Sequence, residues 1–126
     1  MGTIKTLEEH EDPNTVKVVV DNNGYALYFS REPIPSRKKS VVEVSAFKQV
    51  AIIPFRRDFL FTFNHLEPTP LEQIESVDML RALEHGYKIK MVPTNFKTFG
   101  VDTPEDLRSV EEHMKDDPLV SQYPNR

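Results

Sequence analysis

Residues 16–30 read VKVVVDNNGYALYFS, and this stretch decides the fold of the chain. Every second position from 16 to 20 is valine, which is the period-2 pattern of a β-strand. Asn23-Gly24 follows, and this pair favours the positive φ angles that a type I′ hairpin turn requires. Residues 25–30 are again rich in aromatic and aliphatic side chains. The stretch therefore predicts a β-hairpin.

The segment after the hairpin begins with two prolines. Pro33 and Pro35 end the returning strand, because proline cannot donate a hydrogen bond to a β-ladder. The basic loop at 36–39 then has two interpretations. It is either a solvated loop or a lid that faces a phosphate or a sugar carboxylate.

The rest of the chain predicts strands that alternate with helices. In chain order, the pattern predicts a buried strand at 50–54, a helix at 56–64, one helix at 70–84, a strand at 88–92 and a helix at 103–114. Thr103 is a suitable N-cap for the last helix, and Asp106 suits its third position. This order indicates an α/β domain.

Composition narrows the class of protein. The chain has 126 residues, a net charge of −4 and no cysteine. The negative charge argues against a nucleic-acid-binding protein, which needs a basic face. No apolar run approaches the roughly 20 residues needed to cross a bilayer. We therefore expect a cytoplasmic protein without a membrane span or nucleic-acid partner, and we expect its four histidines to lie at the surface.

Two polar clusters are candidates for a functional site. Glu72, Gln73 and Glu75 lie at the start of a predicted helix, where carboxylates stabilise the helix dipole and a glutamine suits the recognition of sugar hydroxyls. Asp102 lies just before the cap of the last helix. Its carboxylate is either a second capping group or a ligand for Mg²⁺, which prefers oxygen donors. The residues alone leave these alternatives open.

Several collinear segments resemble the CMP-Kdo synthetases, the 3-deoxy-manno-octulosonate cytidylyltransferases. The matching segments are residues 12–19, 26–31, 33–35, 70–75, 80–86 and 100–107. The resemblance runs from about residue 12 to 114 and concerns only the C-terminal half of that family. It implies an α/β fold: the C-terminal half of a nucleotide-diphospho-sugar-transferase-like (Rossmann-like) mixed sheet.

The resemblance also implies a domain organisation. We expect a single partial cytidylyltransferase domain over residues 1–126. Its parts would be a polar N-terminal segment (1–14), a β-hairpin dimerisation element (15–35), a sugar-side α/β portion (47–115) and a tail (116–126).

The reaction that the resemblance implies is the joining of CTP to an acidic sugar, which yields CMP-sugar and pyrophosphate for lipopolysaccharide or capsule biosynthesis. Asp102 resembles the C-terminal metal ligand of the family, and Glu72 and Gln73 resemble its sugar-contacting pair. Arg31 would lie near the sugar pocket. No catalytic residue is assigned to this chain.

Two positions depart from the family pattern. Gln49 stands where the family has a sugar-binding histidine, and Ile53 stands where it has a tyrosine. Because sites that recognise hydroxyls discriminate strongly when polar contacts change, these exchanges indicate a modified relative of Kdo, such as an amino-substituted one, or a decayed site.

The sequence contains no glycine-rich phosphate loop. We therefore expect this chain to lack the CTP-binding half, to be inactive alone, and to use Mg²⁺ only together with the missing half and the nucleotide. Expected partners are a Kdo-type sugar and CTP in the complete enzyme, and a second copy or a complementing half that covers the sheet edge. The alternatives are a non-catalytic dimerisation or sugar-binding module and a domain that only binds a partner chain.

Overall fold

The hairpin predicted from residues 16–30 forms one side of a four-stranded sheet. The computed structural model describes residues 1–38, 45–50, 52–96, 99–101 and 103–122. The described strands are β1 (Gly2–Thr3), β2 (Lys17–Val20), β3 (Ala26–Ser30) and β4 (Phe47–Lys48), in the spatial order β1-β4-β2-β3. Each described strand pair is antiparallel, with Val18 opposite Phe29 and Phe47 on its two sides.

The hairpin turn differs from the type I′ turn that the sequence predicts. Gly24 has a φ of +74°, but Asn23 does not have a positive φ, so the type I′ prediction is wrong. The Asp21 carboxylate accepts hydrogen bonds from the backbone N–H of Asn23 (2.8 Å) and of Tyr25 (2.9 Å). These bonds organise a longer turn that closes with Gly24 N–H donating to Asp21 O, and a β-bulge precedes it at Val19/Val20.

The described helices are α1 (Leu7–Glu11), α2 (Arg57–Asn64), α3 (Pro70–Glu75), α4 (Met79–Glu84) and α5 (Pro104–Lys115), and a 3₁₀ turn follows at Val120–Gln122. The helix predicted at 56–64 is confirmed by α2. The α/β class is also confirmed, with an antiparallel sheet and short helices. None of the helices in the described ranges is long and apolar enough to span a membrane.

The prediction of a single helix at 70–84 is wrong, because the helix ends at Ser76 and a second helix begins at Met79. Ser76 has a left-handed φ of +53°, a conformation that costs a non-glycine residue about 1 kcal/mol. The Arg31 side chain compensates by donating to the backbone carbonyls of Glu75 (2.7 Å) and Ser76 (3.0 Å). Leu71 of α3 and Leu80 of α4 still contribute to the same core cluster on the two sides of the break.

Two predicted strands are shorter or displaced. Described residues 50 and 52–54 lie outside any strand, and Ile52 is 77% exposed, so the buried strand predicted there is wrong. The ladder with β2 lies earlier, at β4, and its last hydrogen bond runs from Gln49 N–H to Val16 O (2.9 Å). The strand predicted at 88–92 is reduced to an isolated bridge between Tyr25 and Lys90.

The N-terminal segment contains structure that its polar composition did not predict. β1 pairs with β4, and Ile4 is buried. Thr6 caps α1 by accepting a hydrogen bond from Glu9 N–H (3.1 Å). His10 is only 2% exposed and its Nε2 lies 3.0 Å from Ile34 O, so its predicted surface position is wrong.

The core lies between the hairpin and α4. Its fully or nearly fully buried apolar side chains are Val18, Phe29, Val77, Met79 and Leu80. Helix α4 packs on β3 and therefore holds the α3–α4 turn close to the end of the hairpin.

The chain divides into two compact units, Met1–Phe96 and Lys97–Arg126. The second unit contains α5, whose capping box is formed by Thr103 and Asp106, as the sequence predicts. Within this unit, the rings of Phe99 and His113 lie 4.4 Å apart. The division of a single domain into the four predicted parts stays a prediction.

Candidate functional site

A cleft of about 220 Å³ lies in the first unit, beside the end of the hairpin. Two of the residues predicted to bind sugar, Arg31 and Gln49, line it, and so does Ile53. The complete lining is Val16, Arg31, Gln49, Ile53, Ser76, Val77, Asp78 and Met79. The residues just before β2, just after β3, after β4 and at the α3–α4 turn are thus brought together.

Arg31 is held in this cleft by backbone carbonyls. Its Nε, Nη1 and Nη2 donate to the carbonyl oxygens of Glu75 (2.7 Å), Pro13 (2.9 Å) and Ser76 (3.0 Å). These bonds use three of the five N–H donors of the guanidinium. No carboxylate of the described residues forms an ion pair with Arg31. Its positive charge is therefore fixed in place but not neutralised by direct contact.

Gln49 lines the same cleft. Its backbone N–H is used by Val16 O, whereas its side-chain Oε1 is buried and has no hydrogen-bond partner among the described residues. A buried carbonyl oxygen without a partner is costly, so it is satisfied when a ligand or water donates to it. Ile53, at 38% exposed, forms an apolar part of the rim.

Glu72 and Gln73 do not line this cleft. Glu72 is 8% exposed and binds Arg81, with Nε at 2.7 Å from Oε2 and Nη2 in contact with Oε1. Its Oε2 also accepts from Thr69 N–H (3.2 Å), which caps α3. The Arg81 hydrogen bonds lower the pKa of Glu72 and outweigh the burial that would raise it. Gln73 is exposed on another face of α3.

The predicted metal ligand, Asp102, lies outside the described residues. Within the described parts of the chain, no group of three or more His, Cys, Asp or Glu side chains is arranged to hold a metal ion. Magnesium binding therefore stays a prediction.

Glu75 organises the end of β3 beside the cleft, although the sequence pattern did not distinguish it within its cluster. Its Oε1 accepts hydrogen bonds from the hydroxyls of Tyr28 (3.1 Å) and Ser30 (2.9 Å), and its Oε2 accepts from Arg31 N–H (2.8 Å). Burial alone would raise the pKa of Glu75, but these hydrogen bonds together hold it below its ordinary value. The alternation of hydroxyl groups at 28 and 30 was the signal available in the sequence.

The described residues thus combine an antiparallel sheet and short helices with a cleft that Arg31 and Gln49 line together. A model of the cytidylyltransferase family matches residues 1–89. The chain belongs to the cytidylyltransferase family, as the sequence resemblance predicts.

Named relatives make the resemblance more specific. A 3-deoxy-manno-octulosonate cytidylyltransferase of Syntrophotalea carbinolica is 47% identical over 91% of this chain and 51% of its own length. One from Geotalea daltonii is 47% identical over 92% of this chain and 51% of its own length. A solved structure of CMP:2-keto-3-deoxy-manno-octonic acid synthetase in complex with CTP matches with a TM-score of 0.82 and 37% identity, over 90% of this chain and 46% of that chain.

The chain spans about half the length of the curated relatives it matches. The matched part is their C-terminal half.

Proposed function

We propose that this chain is the sugar-side half of a cytidylyltransferase that joins CTP to a Kdo-type acidic sugar. The observation that carries the proposal is the cleft, which Arg31 and Gln49 line together, with the buried Gln49 Oε1 lacking a hydrogen-bond partner among the described residues. An acidic sugar supplies both complements, since its carboxylate pairs with a guanidinium and its hydroxyls donate to a carbonyl oxygen. Membership of the family and similarity to the named synthetases support the same substrate class.

In the proposed reaction, this chain would orient the sugar and supply one metal ligand. The sugar hydroxyl attacks the α-phosphorus of CTP and loses its proton to solvent, and pyrophosphate leaves with the electrons of the broken P–O bond. Arg31 and Gln49 would orient the sugar, with Glu72 and Gln73 as further predicted contacts. Mg²⁺, for which Asp102 is the predicted ligand on this chain, would neutralise charge on the phosphates.

The proposed partners follow from the proposed reaction. CTP and the nucleotide-binding half would complete the site, and the hairpin would form a homodimer contact. The location proposed for the reaction is the cytoplasm, in lipopolysaccharide or capsule biosynthesis.

Sugar binding tests the proposal directly. In calorimetric titrations of the 126-residue chain with Kdo, we expect saturable binding that Gln49→Met weakens by about tenfold, because one hydrogen bond is lost at nearly constant volume. The Kdo methyl ester, which has no carboxylate charge, should also bind about tenfold more weakly. Gln122→Met, at an exposed position of the second unit, is the control and should bind like the wild type. Absence of binding, or equal binding of acid and ester, would contradict the proposal.

An amino-substituted Kdo analogue distinguishes a change in specificity from decay of the site. Gln49 Oε1 can accept from an ammonium group as well as from a hydroxyl. Tighter binding of the analogue than of Kdo would identify the modified sugar as the substrate class, whereas failure of both sugars would indicate decay.

Catalysis by the chain alone is not expected. With CTP, Kdo and Mg²⁺, the purified 126-residue chain should release no pyrophosphate above the no-enzyme control, because its sequence has no glycine-rich phosphate loop. Adding a separately expressed nucleotide-binding half of a relative should produce turnover if the two form a split enzyme. Unchanged inactivity, with sugar binding intact, would favour the non-catalytic sugar-binding module instead. Pyrophosphate release by the chain alone would contradict this prediction.

A further inference from the structure

We propose that Glu75 is a positioning residue for the sugar cleft, holding Arg31 so that its guanidinium charge is presented to the ligand. The inference rests on the proposed sugar-binding function. Glu75 does not line the cleft, so it acts through Arg31 and through the turn that follows it. Three observations support this assignment.

The first observation is that Glu75 contacts Arg31 at two separate points. Its carboxylate accepts from Arg31 N–H (2.8 Å), and its backbone carbonyl accepts from Arg31 Nε (2.7 Å). The main chain and the side chain of Arg31 are thus both hydrogen-bonded to one residue at the end of α3. Two bonds at different points on Arg31 restrict its rotation more than either bond alone.

The second observation concerns the charge. The Glu75 carboxylate is satisfied by one backbone N–H and by the hydroxyls of Tyr28 and Ser30, not by the guanidinium. A direct bidentate pair would neutralise Arg31, whereas the carbonyl oxygens that hold it carry no formal charge. The arrangement therefore anchors the end of β3 and leaves the cation available for an anionic ligand.

The third observation is the position of Glu75 in the chain. It immediately precedes Ser76, whose left-handed backbone begins the cleft wall at residues 76–79. Arg31 Nη2 donates to Ser76 O, so the same contact that orients Arg31 also holds this turn. Loss of the Glu75 carboxylate should consequently loosen Arg31 and the wall together.

The test compares two substitutions at position 75. Glu75→Gln keeps an acceptor for Arg31 N–H and turns its NH₂ group towards Tyr28 and Ser30, whose hydroxyls can accept as well as donate. Glu75→Ala removes all three bonds. We expect Glu75→Ala to weaken Kdo binding by about tenfold, as for loss of one charged hydrogen bond, and Glu75→Gln to stay within about threefold of the wild type.

Glu84→Ala is the matched control. Glu84 also accepts from backbone N–H groups of α3, at Leu71 (3.1 Å) and Glu72 (3.3 Å), but at the end of the helix away from the turn that lines the cleft. It should lower thermal stability without changing Kdo affinity, which is measured well below each unfolding temperature. A merely structural role for Glu75 predicts the same behaviour for Glu75→Ala, and that result would overturn the proposal. Equal weakening by Glu75→Gln and Glu75→Ala would also overturn it, because the effect would then follow charge, not position.

Amide hydrogen exchange at Arg31 separates this inference from the proposed function. In the ligand-free chain, Glu75→Ala should accelerate exchange of the Arg31 amide by about tenfold or more, while Glu75→Gln and Glu84→Ala leave it protected. If the wild type does not bind Kdo, the proposed function fails, and exchange at Arg31 alone decides whether Glu75 positions it. Unchanged exchange in Glu75→Ala would refute the positioning role even if the sugar binds.

Discussion

Replacing Glu72 with alanine is expected to lower the free energy of unfolding by about 3 kcal/mol. The substitution removes both oxygens that pair with Arg81 and the acceptor that caps α3 at Thr69 N–H. The Arg81 side chain is 21% exposed and lies over the Phe63 ring, 5.1 Å from its centroid, so its charge would be left largely desolvated. Such an unpaired charge costs more than the pair contributes. Urea denaturation at pH 7 measures the change.

Gln73→Ala is the matched control for that experiment. Gln73 is the next residue on the same helix but is exposed, so its removal should change the free energy of unfolding by less than about 0.5 kcal/mol. Equal stability losses for the two variants would show that the Glu72–Arg81 pair does not hold α3 to α4. An unaltered unfolding midpoint for Glu72→Ala would show the same.

Replacing Phe29 with alanine should lower the free energy of unfolding by about 3–5 kcal/mol, because a large buried ring leaves a cavity when it is truncated. Phe29 is 1% exposed and lies opposite Val18 in the β2–β3 hairpin. It belongs to the core cluster that also contains Leu80 of α4. Residues 76–79 of the cleft wall lead into α4, which packs on β3. The variant should therefore also lose Kdo binding as it unfolds.

Leu27→Ala, two positions earlier on the same strand, is the control for Phe29→Ala. Leu27 is 62% exposed, so the same kind of truncation should cost less than about 1 kcal/mol. Thermal unfolding followed by circular dichroism would rank the two variants. A smaller loss for Phe29→Ala than for Leu27→Ala would mean that the hairpin does not pack on α4 through Phe29.

The elements that the sequence predicted well are those whose signals are local. The hairpin follows from alternation around a turn of Asn and Gly, and α2 follows from aromatic residues at helical spacing. The capping box of α5 follows from Thr103 and Asp106, which are three residues apart. In each case the interacting groups are neighbours along the chain, so composition and spacing suffice.

The site was only partly predictable. Arg31 and Gln49 do share a cleft, but Glu72 and Gln73, which the sequence treats as a pair, separate on the helix. Adjacent residues of an α-helix point about 100° apart, so they do not share a face. The Glu72 carboxylate forms an ion pair with Arg81. Glu75, three positions further along α3, instead binds the backbone at the end of β3.

The amino-acid sequence by itself determined the hairpin, the α/β class, α2, α5 and the family. The tertiary structure alone decided the break at Ser76, the burial of His10 and the network around Glu75. The physical reason is the separation of the partners. Arg31 and Glu75 are 44 positions apart, and His10 contacts Ile34 across 24 positions. No local sequence pattern predicts such pairs, because they form only when the sheet and helices pack together.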